Sequence, residues 1–311
     1  MASPIDPRIH VDATHLRALA ARSRGISFLP SQPSRSILNG QHASRLKGRG
    51  LNFEELRHYS QGDDIRTIDW KVTARTGEPF VRVYTEERDH SVLLIVDQRM
   101  SMFFGSKHNM KSVTAAEAAA LAAQAVHAKM DRVGGIIFND TDMTELRPQA
   151  SAKGLSQFIA TLAEANCALN ASGTGANSMS LNRPLRAATR LAKTNGQVLI
   201  FSDFDEINDE TFKHLRTLSQ KNDVILFSIN DPFSEQLPED IELVVSDGQL
   251  QGLLRTKETK VRQKVHEFVS GRLSELFAFS SKYGIPVIPL TSSQDTLPQL
   301  LNLLGRRQVG S

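Results

Sequence analysis

The feature that most constrains this chain is an unbroken apolar run, Val92-Leu93-Leu94-Ile95-Val96, followed at once by Asp97. Five β-branched or leucine residues without a polar break indicate a strand buried on both faces, as in a parallel sheet covered by helices on each side. In such sheets, ligands bind in the crevice beyond the carboxyl ends of the strands. The residues that follow this run are therefore candidates for a functional site.

Asp97 and Ser101 have the spacing Asp-x-x-x-Ser, which suits one-sided coordination of a hard cation by oxygen atoms. Between them, where a second small hydroxyl residue would complete the coordination, the chain has Arg99. A guanidinium group near these carboxylates would supply fixed positive charge and would repel a divalent cation. The metal chemistry of the predicted site therefore depends on Arg99.

From Ser91 onward, predicted strands alternate with predicted helices, which is the pattern of βαβ units. The strands are predicted at 92–96, 133–138, 197–201, 224–229 and 287–290, with a hairpin partner near 143–146. The helices are predicted from Thr114, where Thr114 and Glu117 form a capping box, and over 153–165, 181–193, 211–220, 260–283 and 297–304. A small hairpin is predicted around Asp247-Gly248. Right-handed crossovers arrange these elements into an open, mainly parallel α/β sheet with helices on both faces.

Two aspartates follow strands of this predicted sheet. Asp97 ends the first strand, and Asp203 comes soon after the strand at 197–201. If these two strands are neighbours, both carboxylates face one crevice. The loop at 172–180 precedes a helix and could bring a hydroxyl group to the same edge, with Ser178 or Ser180 as its source. The predicted oxygen ligands are thus Asp97, Ser101, Ser178, Ser180 and Asp203.

Composition is that of a globular protein, with 311 residues, 40% hydrophobic and 23% charged, which suffices for one large domain with or without an appendage. The single cysteine, Cys167, excludes an intramolecular disulfide. No stretch approaches the roughly 18 apolar residues of a membrane span, and no apolar run follows the first residues as in a signal peptide. These features predict a cytoplasmic location.

Charge is distributed unevenly. Residues 1–50 contain eight Lys/Arg and two Asp, a net charge of +6, whereas the whole chain carries +3, so the remainder carries −3. We predict a basic arm over 1–47 with a short helix capped by Asp12, a charged segment over 48–90, the sheet domain over 91–305 and a tail over 306–311. The arm offers nucleic-acid binding as one alternative function, although it lacks interleaved aromatic residues for base stacking.

The run from Gly50 to Trp70 (GLNFEELRHYSQGDDIRTIDW), with Ala74-Arg75 behind it, resembles the signature of the bacterial family catalogued as domain of unknown function 58. From Ser91 to the end, the chain also resembles a von Willebrand factor A-type domain. In such domains a metal-ion-dependent adhesion site holds Mg²⁺ through an Asp-x-x-x-Ser loop, a Thr or Ser and an Asp, and a partner's carboxylate takes the open position. Members of the family are typically found beside MoxR-type AAA+ ATPases. The resemblance covers about 48–305 and implies a non-enzymatic adaptor or co-chaperone of such an ATPase and its client protein.

Arg99 departs from the adhesion-site pattern, which has serine or a similar small residue at that position. We hypothesise that Arg99 replaces the metal as a resident cation, so that the edge binds partners without Mg²⁺ or does not bind them at all. Two alternatives stay open. Arg99 could turn into solvent while Asp97, Ser101 and Asp203 bind Mg²⁺, or the loop could be purely structural. No other cofactor is expected.

In the charged segment, arginines alternate with aspartates around Tyr59 and the sole tryptophan, Trp70. The segment has two interpretations. It could contact the partner, or it could form an ion-pair network that clamps it onto the sheet domain, with Trp70 as hydrophobic anchor. The charged residues concerned are Arg57, Asp63, Asp64, Arg66, Asp69 and Arg75.

An enzymatic alternative rests on Asp203-Phe204-Asp205 behind a strand, as in Mg²⁺-dependent phosphatases with an aspartate nucleophile. The sequence has no convincing acidic pair near a downstream lysine to complete such a site. It also lacks a His-Glu-x-x-His zinc helix, a Gly-x-Ser-x-Gly elbow and a Gly-x-x-x-x-Gly-Lys phosphate loop. We therefore expect a protein with no catalytic activity of its own.

Overall fold

A computed structural model of the chain describes residues 6–26, 28, 51–60, 63, 68–86, 90–170, 178–235, 242–246, 251–255 and 273–304. The chain divides into two compact units. The larger is formed by Met1–Ser44 and Ser91–Ser311, and the smaller by Arg45–His90.

The described residues form strands and helices that largely alternate along the chain. The strands of the described residues are β1 (Leu51–His58), β2 (Phe80–Glu86), β3 (Ser91–Asp97), β4 (Arg132–Phe138), β5 (Met143–Gln149), β6 (Gln197–Ser202), β7 (Asp223–Asn230), β8 (Glu242–Ser246), β9 (Gln251–Arg255) and β10 (Val287–Thr291). The helices are α1 (Ala13–Ala20), α2 (Trp70–Thr76), α3 (Lys111–His127), α4 (Ala152–Cys167), α5 (Asn182–Leu191), α6 (Asp209–Ser219), α7 (Pro232–Glu235), α8 (273–283) and α9 (Thr296–Leu304).

Six strands form the sheet of the larger unit, in the order β10-β7-β6-β3-β4-β5. All neighbours pair in parallel except β4 and β5, which form an antiparallel edge. The chain winds outward from β3 in both directions, so the strand order reverses between β3 and β6, where doubly wound sheets have their ligand crevice. The predicted α/β, doubly wound, mainly parallel fold is confirmed.

Strand β3 is buried along its whole length, as the apolar run predicts. Its side chains alternate between two hydrophobic cores because successive residues of a strand point to opposite faces. Leu94 and Val96 pack in the core that contains residues of α1, α3, α4 and α9. Leu93 and Ile95 pack in the second core, with residues of α5 and α6. Each face of the sheet is thus covered by helices.

Helix α3 is buried along 14 of its 17 residues, which its many alanines permit because small side chains allow close packing against the sheet and α1. The predicted capping box is wrong. The helix begins at Lys111 with Met110 as N-cap, so Thr114 lies inside the first turns. The buried carboxylate of Glu117 instead accepts a hydrogen bond from Thr296 Oγ1 (2.5 Å) and lies 2.7 Å from His15 Nε2. One carboxylate thereby joins α1, α3 and α9.

The described residues of the predicted basic arm pack with the larger unit. Asp12 caps α1 as predicted, accepting from the backbone N–H of His15 at 2.7 Å. The apolar side chains near it are buried in the larger unit's core, because they form one hydrophobic face of α1 and its flanks: Val11, Leu16, Ala20, Ile26 and Phe28. Residues 29–47 of the predicted arm and the tail 306–311 lie outside the described residues.

In the smaller unit, β1 and β2 form an antiparallel pair, and Gly77 ends α2 in a left-handed conformation (φ 81°). Neither β1 nor α2 is among the elements predicted from the sequence. Elsewhere, β8 and β9 pair on either side of the predicted Asp247-Gly248 turn, which itself is outside the described residues. Of the predicted helix at 260–283, residues 273–283 are helical, and 260–272 are outside the described part of the chain.

The described part of the chain contains no helix with the length and apolar character required to cross a membrane.

Stability should depend on pH through His15. The hydrogen bond to Glu117 raises the pKa of His15 above its ordinary value, outweighing burial, which lowers it. A raised folded-state pKa stabilises fully below the unfolded pKa of about 6.5, and the contribution disappears as pH rises through the folded value. Between about pH 6 and 8, we expect the unfolding free energy of the wild type to fall by up to about 1 kcal/mol relative to His15→Gln, since the site is only partly shielded from solvent. Urea titrations with parallel pH profiles for both proteins would refute this.

Candidate functional site

The carboxyl ends of four neighbouring strands each lead into an aspartate. Asp97 ends β3, Asp203 and Asp231 directly follow β6 and β7, and Asp140 follows β4 by two residues. Because these strands are parallel neighbours, the four aspartates belong to one edge of the sheet, called here the carboxyl edge. The pairing of β3 with β6, which the convergence of Asp97 and Asp203 requires, is present.

A buried ion pair between Arg99 and Asp97 lies at this edge. Arg99 Nε donates to Asp97 Oδ1 at 3.0 Å, and Nη2 donates to Oδ2 at 2.8 Å, which is a bidentate arrangement. The backbone N–H of Arg99 also donates to Oδ1, and the Ser202 hydroxyl donates to Oδ2 at 2.6 Å. Both carboxylate oxygens are therefore engaged by protein donors.

The guanidinium of Arg99 is only 1% exposed, so it does not turn into solvent. Its Nη1 donates to the carbonyl oxygen of Met179 at 3.2 Å, and its Cζ lies 5.6 Å from the ring centroid of Phe138, a cation–π distance. Burial by itself would lower the pKa of Arg99, but the charge and hydrogen bonds of Asp97, with the charges of Asp203 and Asp205, raise it above its ordinary value. The positive charge is therefore permanent.

A second cation binds the second predicted carboxylate. Lys111 Nζ donates to Asp203 Oδ2 at 2.7 Å, and the backbone N–H of Asp205 donates to Oδ1 at 3.0 Å. Lys111 is the first residue of α3, and its side chain is largely buried. Sequence reasoning missed Lys111 because it placed the start of this helix at Thr114, three residues too late.

Asp140 is another residue that sequence reasoning missed. Its Oδ1 accepts from the Ser178 hydroxyl and its Oδ2 from the backbone N–H of Met100, each at 2.7 Å, while its carbonyl oxygen accepts from the N–H of Met179. Asp140 thus fastens the loop that begins at Asp97 to the segment that presents Met179 to Arg99. The only signal in the sequence was its position just after a predicted strand.

The serine hydroxyls that were predicted as metal ligands form no hydrogen bond with Asp97 or Asp203 in the described part of the chain. Ser178 donates to Asp140, and the Ser180 hydroxyl accepts from the backbone N–H of Asn182. Within the described residues, neither bonds to Asp97 or Asp203, and their role as metal ligands stays a prediction. The Ser101 hydroxyl is buried and finds no hydrogen-bond partner among the described residues. Residues 171–177 of the same predicted loop lie outside the described chain.

Asp231 is the fourth aspartate of the carboxyl edge, and its carboxylate accepts hydrogen bonds from groups of the protein. It accepts hydrogen bonds from the hydroxyls of Ser106 and Ser292 and from the backbone N–H groups of Ser106 and Phe233. Burial would raise the pKa of Asp231, but these hydrogen bonds outweigh it and lower the pKa. The carboxylate therefore ties the loop after β3 to the ends of β7 and β10.

These contacts decide whether the edge fits Mg²⁺. The ion needs oxygen ligands with lone pairs directed at it, and usually one or two carboxylates. Here both oxygens of Asp97 and both of Asp203 accept bonds from protein donors, two of which are cations. In the described residues, no group of three or more His, Cys, Asp or Glu side chains is placed to hold a metal. This arrangement does not fit the metal of an adhesion site.

The charged segment contains a bidentate ion pair among its described residues. Arg57 binds Asp63 through Nη1 and Nη2, at 2.8 and 2.7 Å, and the N–H of Ser60 donates to the same carboxylate. Asp69 accepts from the backbone N–H groups of Lys71 and Val72 and so caps α2. Asp64 and Arg66 lie outside the described residues. The predicted ion-pair network is thus represented here by Arg57 and Asp63.

Trp70 is not a buried anchor, which corrects one interpretation of the segment. Its side chain is 65% exposed at the first position of α2. The correction has a simple cause: Trp70 and Arg75 belong to a short helix with no buried residues. Tyr59 is half-buried, and its backbone N–H donates to the carbonyl of Pro79.

The strand order, with one antiparallel edge and an Asp-x-x-x-Ser loop at the switch point, defines a von Willebrand A-like α/β domain. The smaller unit, which contains the motif around Trp70, precedes this domain's sheet in the chain. The chain belongs to the family described as "Protein of unknown function DUF58", which matches residues 55–272.

Relatives and solved structures add the following likenesses. The chain is 26% identical over 299 residues to "Uncharacterized protein Rv1480" of Mycobacterium tuberculosis and to "Uncharacterized protein Mb1516" of Mycobacterium bovis, covering 94% of this chain and 91% of each relative. Among solved structures, it is similar to the conserved hypothetical protein BatB from Bacteroides thetaiotaomicron (12% identity, 68% of this chain and 93% of that one, TM-score 0.40). It is also similar to the SpRpn10 VWA domain (10% identity, 71% and 99%, TM-score 0.35). Structural likenesses this weak carry no argument about function.

The buried ion pair can be tested by a double-mutant cycle. Arg99→Met should destabilise the protein by about 3–5 kcal/mol, because it leaves the Asp97 carboxylate buried without its cation. The double variant Asp97→Asn/Arg99→Met should cost clearly less than the sum of the two single variants. Arg190→Met, which removes an exposed ion pair with Glu145, is the control and should cost under about 1 kcal/mol. Urea unfolding measures all four, and equal costs for Arg99→Met and Arg190→Met would contradict the assignment.

Proposed function

We propose that this chain is a non-enzymatic protein-binding adaptor or co-chaperone that acts with a MoxR-type AAA+ ATPase and its client protein. The class of partner is what the resemblance of the Gly50–Trp70 motif implies, and the family match over residues 55–272 supports that resemblance. The observation that carries the chemical part of the proposal is the buried bidentate pair of Arg99 with Asp97.

In this proposal the carboxyl edge is a degenerate metal-ion-dependent adhesion site that works without Mg²⁺. Arg99 takes the role of resident cation, and Lys111 supplies a second positive charge at Asp203. A divalent ion entering the edge would have to displace both cations from short hydrogen bonds and would meet their repulsion. Partner binding at this edge is therefore independent of divalent metal.

The same contacts prepare the edge for binding a protein. The aspartates at 140 and 231 hold the loops that follow β3, β4, β7 and β10 in one arrangement. Loops fixed before association lose less conformational freedom on binding, so more of the contact energy appears as affinity. A rigid, metal-free edge of this kind suits an adaptor.

Two alternatives are disfavoured by specific contacts. An aspartate nucleophile needs an accessible carboxylate beside Mg²⁺, whereas Asp203 is 2% exposed and bonded to Lys111. Nucleic-acid binding rested on a basic arm, and the described part of that segment packs apolar residues such as Leu16 into the core. Both observations support a protein-binding role without catalysis.

Calorimetry with MgCl₂ tests the metal-free edge. The wild type should give no binding heat, and its Tm should not change with Mg²⁺. Arg99→Ser removes the guanidinium from both Asp97 oxygens and adds a hydroxyl, so it should bind Mg²⁺ and gain Tm as the ion is added. Arg99→Ser/Asp203→Ala is the control, and its Tm should not rise when Mg²⁺ is added. Strong Mg²⁺ binding by the unaltered protein would overturn the proposal.

Co-purification from native cells under ATP-preserving conditions tests the partnership. A MoxR-type ATPase should be recovered with the full-length chain, and its recovery should be the same with and without EDTA in the wash, provided that ATP is replenished with Mg²⁺ afterwards. Recovery of no ATPase in repeated experiments would contradict the adaptor role.

A further inference from the structure

Helix α2 presents an exposed face that combines an aromatic side chain with two cations. Its exposed residues include Trp70, Lys71, Ala74 and Arg75, which we call the α2 face. Trp70 and Ala74 are four residues apart, as are Lys71 and Arg75, so the face consists of an apolar row beside a basic row. The flanking residues Val72 and Thr73 are half-buried and define the opposite side of the helix.

This face is unfavourable for the isolated protein. Like charges at positions i and i+4 of a helix destabilise it, and a lysine in the first turn opposes the helix dipole. In the described part of the chain, neither Lys71 nor Arg75 forms an ion pair. A 65% exposed tryptophan forgoes the burial that such a large apolar side chain normally gains. Three unfavourable features on one seven-residue helix point to a contact outside the chain.

We propose that the α2 face is a docking surface for a short acidic segment of a partner protein. Carboxylates of that segment would pair with Lys71 and Arg75, and an apolar side chain or shallow pocket beside them would cover Trp70. Tryptophan is among the residues most enriched at the energetic centres of protein interfaces, and oppositely charged pairs around it fix orientation and partner choice. Identifying the partner as the ATPase rests on the proposed function, whereas the surface and its acidic ligand do not.

The charge around the face favours an acidic peptide over a nucleic acid. An exposed aromatic residue beside cations is also found where single strands bind, but such sites need a basic groove that follows the phosphate backbone. The smaller unit, Arg45–His90, contains nine Lys/Arg and nine Asp/Glu, so it has no net positive charge. Glu78 lies two residues beyond α2 with an exposed carboxylate. The positive charge is local to two residues, which matches a short acidic stretch.

Trp70 is the only tryptophan of the chain, so one spectroscopic label reports on the α2 face alone. Full-length protein labelled with 5-fluorotryptophan should give a single ¹⁹F resonance that shifts on addition of the purified MoxR-type ATPase from the same organism. Trp70→Ala should weaken this association about 30-fold, the ratio that corresponds to a hot-spot loss of about 2 kcal/mol. Lys71→Glu/Arg75→Glu should weaken it at least about 10-fold, and added salt should weaken binding by the wild type.

The control is Lys153→Glu/Lys213→Glu, which reverses two exposed charges on other helices and changes the net charge equally. It should bind within about twofold of the wild type, and all variants should keep the wild-type Tm. A large fall in Tm for Trp70→Ala would show that the α2 face is covered by the chain itself, which overturns the inference. The inference is also overturned if the wild type binds the ATPase and both α2 variants bind it with the same affinity as the wild type.

If the wild type does not bind the ATPase at all, the proposed function fails, and a second measurement tests the α2 face separately. A photoreactive benzoylphenylalanine at position 70 of the full-length chain is cross-linked in living cells, and the attached peptide is sequenced by mass spectrometry. Attachment to an Asp/Glu-rich peptide of another protein, lost in the Lys71→Glu/Arg75→Glu background, supports the inference. Attachment to this chain, to a second copy, to nucleic acid, or to nothing refutes it.

Discussion

The buried pair of Arg99 and Asp97 is the interaction on which the rest of the carboxyl edge depends. It lies at the point where the strand order reverses, and it contacts β6 through Ser202 and β4 through Phe138. Ser202 brings the end of β6 onto the carboxylate, and the carbonyl of Met179 brings the segment before α5 onto the guanidinium. A charge this deeply buried is tolerated only while its partner is present, because either group alone would have to be desolvated without compensation. The pair therefore favours the arrangement of these loops in which its two groups meet.

The four aspartates of this edge have two different structural roles. Those at 97 and 203 bind cations supplied by the chain, and those at 140 and 231 bind hydroxyl and backbone donors from neighbouring loops. In a metal-dependent adhesion site, the negative charge would attract an ion that in turn attracts a partner. Here the negative charge is satisfied by donors of the protein itself, and these bonds tie the loops together. In the function that we propose, a partner would recognise shape and surface charge, and association would not require a divalent ion.

Much of this was predictable from the sequence, and the failures have identifiable causes. The run at 92–96 and the alternation of elements predicted the sheet because strands buried on both faces leave a strong local pattern. Arg99 could be singled out because the spacing of Asp97 and Ser101 defined what was expected between them. The helix start at Lys111 was missed because it has no side-chain cap, and a plausible capping motif lies three residues later.

Other failures came from tertiary contacts that leave no local pattern. The basic residues of the segment 1–47 suggested an arm, but in its described part the apolar face of α1, which includes Leu16, packs in the core. Ser178 stays a predicted metal ligand, and its hydroxyl donates to the aspartate after β4, a contact that the sequence did not indicate. One of the two interpretations of the charged segment made Trp70 a buried anchor, yet Trp70 begins a helix without buried residues.

The central claim is that a guanidinium occupies the place of a metal ion at this edge. Crystals grown with Mn²⁺, whose anomalous scattering marks its position, test it most directly. The account predicts no anomalous peak within coordination distance of Asp97, Ser101 or Asp203, with Arg99 still bound to Asp97 through both nitrogens. A Mn²⁺ peak between those oxygens, with the arginine displaced, would contradict it.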